Sequence, residues 1–472
     1  MTKPAPLYVD ATMILRWQHL APVGIVRLER LLASHLRFGG ETPRAEYVVW
    51  DGGYRPADEH EEASLDQLLE HLEVVETSGP SSEALPGDVQ TAPGRVLPKV
   101  RHVALRGLGR LPGHLRPYAE NAAWSVATFG VESARYSRRA WTDRRRSAAA
   151  PAAPRERGIV HRAAFPAGSD LVALGLGWEY IDHEAMYRLA KEQSVRIHMP
   201  AFDLIPVLMP QMNAGQSHLV HRYYAEMAHY ADSITSISEA TRAAIETFFR
   251  SEDLPIPHLA VNPLPGLAPA VDRSSSDGNG RRHRFEDEEY VLTVSTIEVR
   301  KNHLLLAKIW TECIAEGIDM PKLVLVGRFG WDVEELRRWV DHAPELEGRF
   351  LICADVDDDE LVELYQDALF TVFPSRIEGW GLPITEALSY GKACVHSTDP
   401  AQFEASQGIM PALHPDDFLG WKAEILRLCR DVDYRQGLEA TIADRYVPRT
   451  AAEYCSEFAA IIASRRDVEV AS

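Results

Sequence analysis

The 472-residue chain is short of cysteine, of long apolar runs and of positive charge. Its five cysteines, Cys313, Cys353, Cys394, Cys429 and Cys455, are scattered through the C-terminal third without CxxC spacing. An odd, unpatterned set argues against a disulfide framework and a zinc site, and for a reducing compartment. No apolar run approaches the roughly 20 residues that a membrane-spanning helix needs. Met1–Pro6 leads straight into the strand-like Leu7–Val9, so no signal peptide is expected and the expected location is cytoplasmic. Fifty Lys and Arg against 69 Asp and Glu leave a formal net charge of −19. Such a balance argues against a general nucleic-acid binder, and no nucleic-acid partner is expected.

What is present is an ordinary globular composition, 46% hydrophobic and 25% charged. A chain of this length is too long for one core and should form two domains. The positive charge it has is concentrated: Arg95–Arg157 holds fourteen Lys and Arg against four Asp and Glu. That stretch falls inside a Pro-, Gly-, Ala- and Arg-rich insert, about 86–157. Within it Leu97, Val100, Ala104, Leu108 and Leu111 share helical spacing, with Lys99, His102, Arg106 and Arg110 on another face. Trp124, Phe129, Tyr136 and Trp141 then interleave with Arg135, Arg138, Arg139 and Arg144–Arg146. The segment 95–146 is expected to contact an anionic membrane surface, making the protein peripheral on the inner face of the plasma membrane. The alternative is that its aromatics cover the domain's own core.

Either side of the insert, short apolar strands alternate with helical patterns, which predicts parallel, doubly wound α/β domains. Strands are expected at Leu7–Val9, Tyr47–Asp51, Asp170–Gly175, Val195–Ile197, Ser233–Ser236 and Leu259–Asn262. Pro200, Pro206 and Pro210 deny helix and central strand through 200–210 and predict a structured loop. Asp272–Arg284 has linker composition. The domains are therefore set at 1–271 and 285–472, with the last helix expected to pack back on the first domain. In the second domain strands are expected at Tyr290–Val294, Leu323–Val326, Phe350–Cys353, Ala368–Phe373 and Ala393–His396.

One stretch of this second domain stands out, Phe373–Glu386. Its strand breaks at Pro374 into a loop holding Gly379 and Gly381, and a helix opens near Pro383 and stops at Gly391. Ligands of such βαβ units sit beyond the strands' carboxyl ends. A glycine loop and a helix N-terminus offer backbone N–H groups to an anion such as a diphosphate. Glu378 and Glu386 flank this place, and carboxylates there suit the hydroxyls of a ribose and a sugar. Arg300 and Lys301, on the loop opening the helix at His303, are positioned to neutralise a diphosphate without a metal. Val326–Trp331 is a second glycine turn at a strand end, carrying Arg328. Asp355–Glu360 has the look of a metal-binding run, but its place before a helix reads as an N-cap and first-turn carboxylates. His198 and Asp203 are the clustered acid–base candidates of the N-terminal half; a structural role for His198 is the alternative.

Glu378-Gly-Trp-Gly-Leu-Pro-Ile-Thr-Glu386 resembles the E-x7-E signature of retaining glycosyltransferases of family 4, with the GT-B fold. Phe373-Pro-Ser375, Glu386–Gly391, Glu404, Arg300–His303 and Leu325–Trp331 fit the same family, so the resemblance is dense over Val291–Glu404. In the N-terminal half it rests on Tyr8-Val-Asp10, Gly24–Arg27 and Asp203–Pro206, which are similar to a bacterial polysaccharide and O-antigen assembly branch. The resemblance implies two Rossmann-like domains facing a central cleft. It implies transfer of a hexose, mannose from a GDP-sugar, to a glycan or lipid-linked acceptor, with no cofactor and no metal required. It assigns Glu386 to the donor's ribose, Glu378 to the donor sugar and Lys301 to the diphosphate. Catalytic roles are then expected for Glu378, Lys301 and Asp203, and donor binding for Arg300, Lys301, Arg328, Gly379, Trp380, Gly381, Leu382 and Glu386. Two departures stand out: Thr296 occupies the place of a common arginine, and Phe202 that of a histidine beside Asp203. The rival classes are a non-catalytic glycan-binding or scaffold subunit with the same fold, and a nucleotide-sugar epimerase.

Overall fold

A computed structural model describes residues 5–16, 25–39, 44–50, 53–74, 163, 165–174, 181–212, 215, 217–266, 285 and 288–470. The basic insert at 86–157, its membrane-facing segment 95–146 and the linker 272–284 lie outside the described residues.

Two sheets organise what is described. The first comprises β1 (Leu7–Asp10), β2 (Glu46–Trp50), β3 (Tyr54–Pro56), β4 (Asp170–Val172), β5 (Arg196–Ala201), β6 (Ser233–Ser236) and β7 (His258–Val261). Their spatial order is β3-β2-β1-β4-β5-β6-β7, parallel except for the β2–β3 edge. The second comprises β8 (Tyr290–Val294), β9 (Lys322–Val326), β10 (Phe350–Cys353), β11 (Thr371–Phe373), β12 (Cys394–Ser397) and β13 (Ala412–Leu413). It is parallel throughout, in the order β10-β9-β8-β11-β12-β13. Central strands such as β1, β5, β6, β11 and β12 are buried at every residue. That is the pattern of parallel sheets covered by helices on both faces, and it explains why apolar runs rather than alternation mark them. Trp310 and Trp421, on the helices His303–Ala315 and Phe418–Arg430, fill the second core with no exposure.

Residues 200–210 correct an expectation. Pro200 lies inside β5, a central strand, paired with Thr235. The strand tolerates it through alternation: Arg196 and His198 turn their backbone groups to β4, while Ile197 and Ala201 turn theirs to β6. Pro200 therefore faces β4, whose register ends at Val172 opposite His198, so no ladder bond is lost. Pro206 sits in the first turn of a short helix, Ile205–Leu208, where a missing N–H costs nothing, and Pro210 opens a 3-10 turn. Elements not foreseen include the antiparallel edge strand β3, the edge strand β13 and the helices Pro400–Ala405 and Val432–Arg445.

The last helix, Ala451–Val470, returns to the first sheet. Arg465 pairs with Asp232 at 2.8 Å, Arg466 with Asp170 at 2.6 Å, and Asn262 Nδ2 donates to the Tyr454 carbonyl at 3.0 Å.

Candidate functional site

Strand β11 ends at Phe373, and the chain turns through Pro374–Gly381 into the helix Leu382–Ser389. Gly381 has a φ of 145°, a left-handed value that favours glycine, and no side chain caps the helix that follows. Opposite, after β8, a 3-10 turn Val299–Lys301 presents Arg300 and Lys301, and its end requires Asn302 at φ 61°. The amide of Arg376 donates to the Arg300 carbonyl at 2.9 Å, tying the two loops together.

Their side chains meet at Glu378. Lys301 Nζ is 2.5 Å from Oε1 and Arg300 Nη1 is 2.8 Å from Oε2, while Ser375 Oγ also donates to Oε1. Arg300 further donates to the Ile377 carbonyl at 2.7 Å and pairs with Glu298 at 2.7 Å. The Lys301 ammonium lies 5.1 Å from the centre of the Phe373 ring. Burial pushes the Glu378 carboxyl up, yet Lys301 and Arg300 outweigh it and hold the group down at about 2. Burial keeps the Lys301 ammonium below its ordinary value despite Glu378. Arg300, burdened by burial but faced by Glu378 and Glu298, is held more firmly protonated. The result is an ion-paired network of two cations, Lys301 and Arg300, and two carboxylates, Glu378 and Glu298, at a strand's carboxyl end.

Asp203 comes to this cluster from the first sheet, just beyond β5. A Cβ on Gly379 would stand 2.1 Å from the Phe202 carbonyl oxygen and 3.0 Å from Asp203 Cβ, so only glycine permits this approach. Asp203 accepts from the Ile205 amide at 3.0 Å. Burial raises its carboxyl, with Arg300 and Lys301 opposing and Glu378 adding to the rise. Thr241 Oγ1 donates to the Gly379 carbonyl at 3.3 Å. Thr241 belongs to the helix Glu239–Ser251, whose N-terminus receives both oxygens of Glu404, at 2.8 Å from the amides of Glu239 and Ala240. A carboxylate from the second sheet thus caps a helix of the first.

Glu386 lies on the helix Leu382–Ser389, away from the cations. Tyr365 OH donates to its Oε2 at 2.8 Å, and Tyr365 stacks on Tyr390 with ring centres 5.5 Å apart. Burial raises the Glu386 carboxyl. Asp399, which the sequence reading passed over, accepts from the Gln402 amide at 3.2 Å and from the Glu378 amide. Burial, with Glu378 nearby, lifts it to about 7.

Other expected residues are placed differently. Arg328 is exposed; its carbonyl accepts from Ile297 at 2.8 Å, but its guanidinium makes no hydrogen bond or ion pair among the described residues. The Trp380 ring belongs to the core, 8% exposed, with its indole N–H unpartnered among the described residues. His198 does not join Asp203. It is fully buried between Ser233 Oγ at 2.8 Å and Asp170 Oδ1 at 3.0 Å, and Asp170 also receives Arg196 at 2.7 Å. Both ring nitrogens are spent, which makes it a structural histidine. In the acidic run, Asp357 caps the helix Asp358–Asp367 by accepting from the Glu360 amide at 2.8 Å.

Residues 279–405 match the family described as Glycosyl transferases group 1. The Escherichia coli serotype-specific mannosyltransferase WbdA is 35% identical over 96 residues, 20% of this chain and 12% of that protein. The O-antigen chain mannosyltransferase B of Escherichia coli is 27% identical over 210 residues, 44% of this chain and 54% of that protein. The chain thus spans about an eighth of the one and about half of the other. Among solved structures, sucrose-phosphate synthase from Thermosynechococcus elongatus superposes with a TM-score of 0.57 at 15% identity, over 99% of this chain and 100% of that one. The Anabaena protein HepE, in complex with UDP and glucose, gives a TM-score of 0.54 at 13% identity, over 98% and 100%. The two parallel-sheet domains are those of the GT-B glycosyltransferase fold. Among the described residues, no helix is long and apolar enough to cross a membrane.

Proposed function

We propose that the chain is a retaining, metal-independent glycosyltransferase that moves a hexose from a nucleoside-diphosphate sugar to a glycan or lipid-linked acceptor. The observation that carries this is the pairing of two unlike carboxylates eight residues apart. Glu378 is ionised against Lys301 and Arg300, while Glu386 is set apart on a tyrosine hydroxyl.

Departure of a nucleoside diphosphate builds negative charge on phosphate oxygens and positive charge at the anomeric carbon. Lys301, Arg300 and the backbone amides around Gly379–Leu382 are the groups to meet the first. A diphosphate entering here competes with Glu378 for Lys301 and Arg300, releasing Glu378 towards the sugar hydroxyls. Glu386 takes the ribose hydroxyls. Asp203, raised and contributed by the other sheet, faces the reacting sugar from the acceptor side. Arg328, being exposed, is assigned to the cleft rim. Closure around the donor excludes water, so that an acceptor hydroxyl rather than solvent reacts.

Mannose from a GDP-sugar is the favoured donor, supported by the two mannosyltransferase relatives. Lipopolysaccharide or polysaccharide assembly at the inner face of the plasma membrane is the favoured setting, with 95–146 as the contact. Neutralising Arg106, Arg110 and Arg144–Arg146 should then abolish sedimentation with anionic liposomes; unchanged binding removes the membrane reading. For the activity itself, the protein is incubated with a panel of nucleotide sugars and a lipid-linked acceptor. Transfer by the wild type and its loss in Glu386→Ala are expected. No transfer and no nucleotide release by the wild type, unchanged in Glu386→Ala, would sink the enzyme reading.

A further inference from the structure

Arg27 has no part in the site as described, yet it reaches it from the other sheet. It lies in the first turn of the helix Ile25–Phe38 and pairs with Asp358 at 2.7 Å. Asp358 opens the helix Asp358–Asp367, and the same helix carries Tyr365, the hydroxyl that holds Glu386. Positions 358 and 365 are seven residues, or two turns, apart and so share one helix face, about 10 Å from end to end. Arg27 therefore stands over one end of a face whose other end fixes Glu386.

The ion pair is poorly suited to be a structural fastening. Its side chains are 29% and 67% exposed, and exposed pairs contribute little to stability. A guanidinium exchanges such a partner readily for a phosphate, which it grips bidentately. Burial raises the Glu386 carboxyl, and Arg27 opposes that rise while Asp358 adds to it, so the pair stands within electrostatic reach of the place proposed for the ribose. A diphosphate attached to that ribose carries more charge than the carboxylate and would attract Arg27 more strongly.

We propose that Arg27 is a donor-binding residue supplied by the first sheet, kept in place by Asp358 and transferred to the phosphates when a nucleoside diphosphate enters. This rests on the glycosyltransferase reading and adds to it a cation from across the cleft. By it, donor binding and the relative position of the two sheets are coupled, because the nucleotide is held from both sides.

The test is calorimetric titration of GDP and UDP, with guanosine and uridine as phosphate-free controls, into the intact protein and its variants. Arg27→Ala should weaken the preferred diphosphate by about tenfold or more and leave its nucleoside unchanged. Arg27→Lys should recover part of the loss, and Asp358→Asn should bind within about twofold of wild type. Unchanged diphosphate affinity in Arg27→Ala, or equal weakening of nucleoside and diphosphate, would each overturn the inference. Wild type that binds neither diphosphate would take the glycosyltransferase reading down with it. Wild type that binds while Arg27→Ala is unaffected removes this inference alone.

Discussion

Replacing Glu378 by glutamine removes the carboxylate that ion-pairs with both Lys301 and Arg300 and leaves the two cations with Glu298, which is paired to Arg300. The side chains of Glu378, Lys301 and Arg300 are 10%, 12% and 15% exposed, so solvent does little to compensate. The Glu378 carboxyl falls from an ordinary 4.5 to about 2 on folding. At 1.36 kcal/mol for each unit, that difference corresponds to about 3 kcal/mol of stability. Removing one partner of a buried pair, with the other left uncompensated, costs a similar roughly 3–5 kcal/mol. The sign follows from the depressed carboxyl: its contribution is complete above about pH 4.5 and is lost as the pH falls towards 2. Urea unfolding of wild type and Glu378→Gln at pH 7 should differ by about 3 kcal/mol, shrinking below pH 4.5. Adding Lys301→Met to Glu378→Gln should restore part of the loss. A difference below about 1 kcal/mol at pH 7, or one independent of pH, would refute the reasoning.

Gly379→Ala places a methyl carbon 2.1 Å from the Phe202 carbonyl oxygen. Thermal unfolding should show a loss of about 1–3 kcal/mol from overpacking, and the loop should lose its nucleotide affinity as it withdraws from Asp203. Glu404→Ala takes two acceptors from the N-terminus of the helix Glu239–Ser251, which Ser238 still caps, and should cost about 0.5–2 kcal/mol in the same assay. Glu404→Gln, which still accepts from the amides, should lose less. Glu29 is 2% exposed with Oε1 unpartnered among the described residues, and burial beside Asp10 raises it to about 8. A raised carboxyl favours the fold while protonated and costs stability as the pH climbs from about 4.5 through 8. Glu29→Gln should therefore be neutral at pH 4 and stabilising at pH 9, by at most about 5 kcal/mol, measured by urea unfolding at both.

Much of the second domain was legible residue by residue. Tyr290–Val294 and Phe350–Cys353 fall where the apolar runs put them, because strands covered on both faces need unbroken apolar sequence. The turn into the helix Leu382–Ser389 was equally plain, because Gly381, Pro383 and Gly391 act through local backbone geometry. The proline-rich 200–210 was misread for an opposite reason. Whether Pro200 costs a hydrogen bond depends on which neighbour its missing N–H faces and where that neighbour ends, and neither is a property of the local sequence. Arg328 shows a similar gap: spacing put it on a loop at a strand end but not which way it points. Tyr365, Thr241 and Asp399 were passed over because only tertiary packing brings them to Glu386, Gly379 and Glu378. The separation of the two glutamates into an ion-paired one and a tyrosine-held one likewise depends on partners far away in the chain. Lys301 lies 77 residues from Glu378, and Tyr365 lies on a different helix from Glu386.

By the proposed function, the cluster at Glu378 serves transfer of a sugar from a nucleoside diphosphate with retention of its configuration. Its most direct test is the anomeric configuration of the product made by the intact protein from an α-linked nucleotide sugar. The measurement is the one-bond carbon–hydrogen coupling at the new linkage, read by NMR. An α-linked product that Glu378→Ala and Lys301→Ala fail to form is the predicted result. A β-linked product, or an α-linked one formed equally well by both variants, contradicts the account.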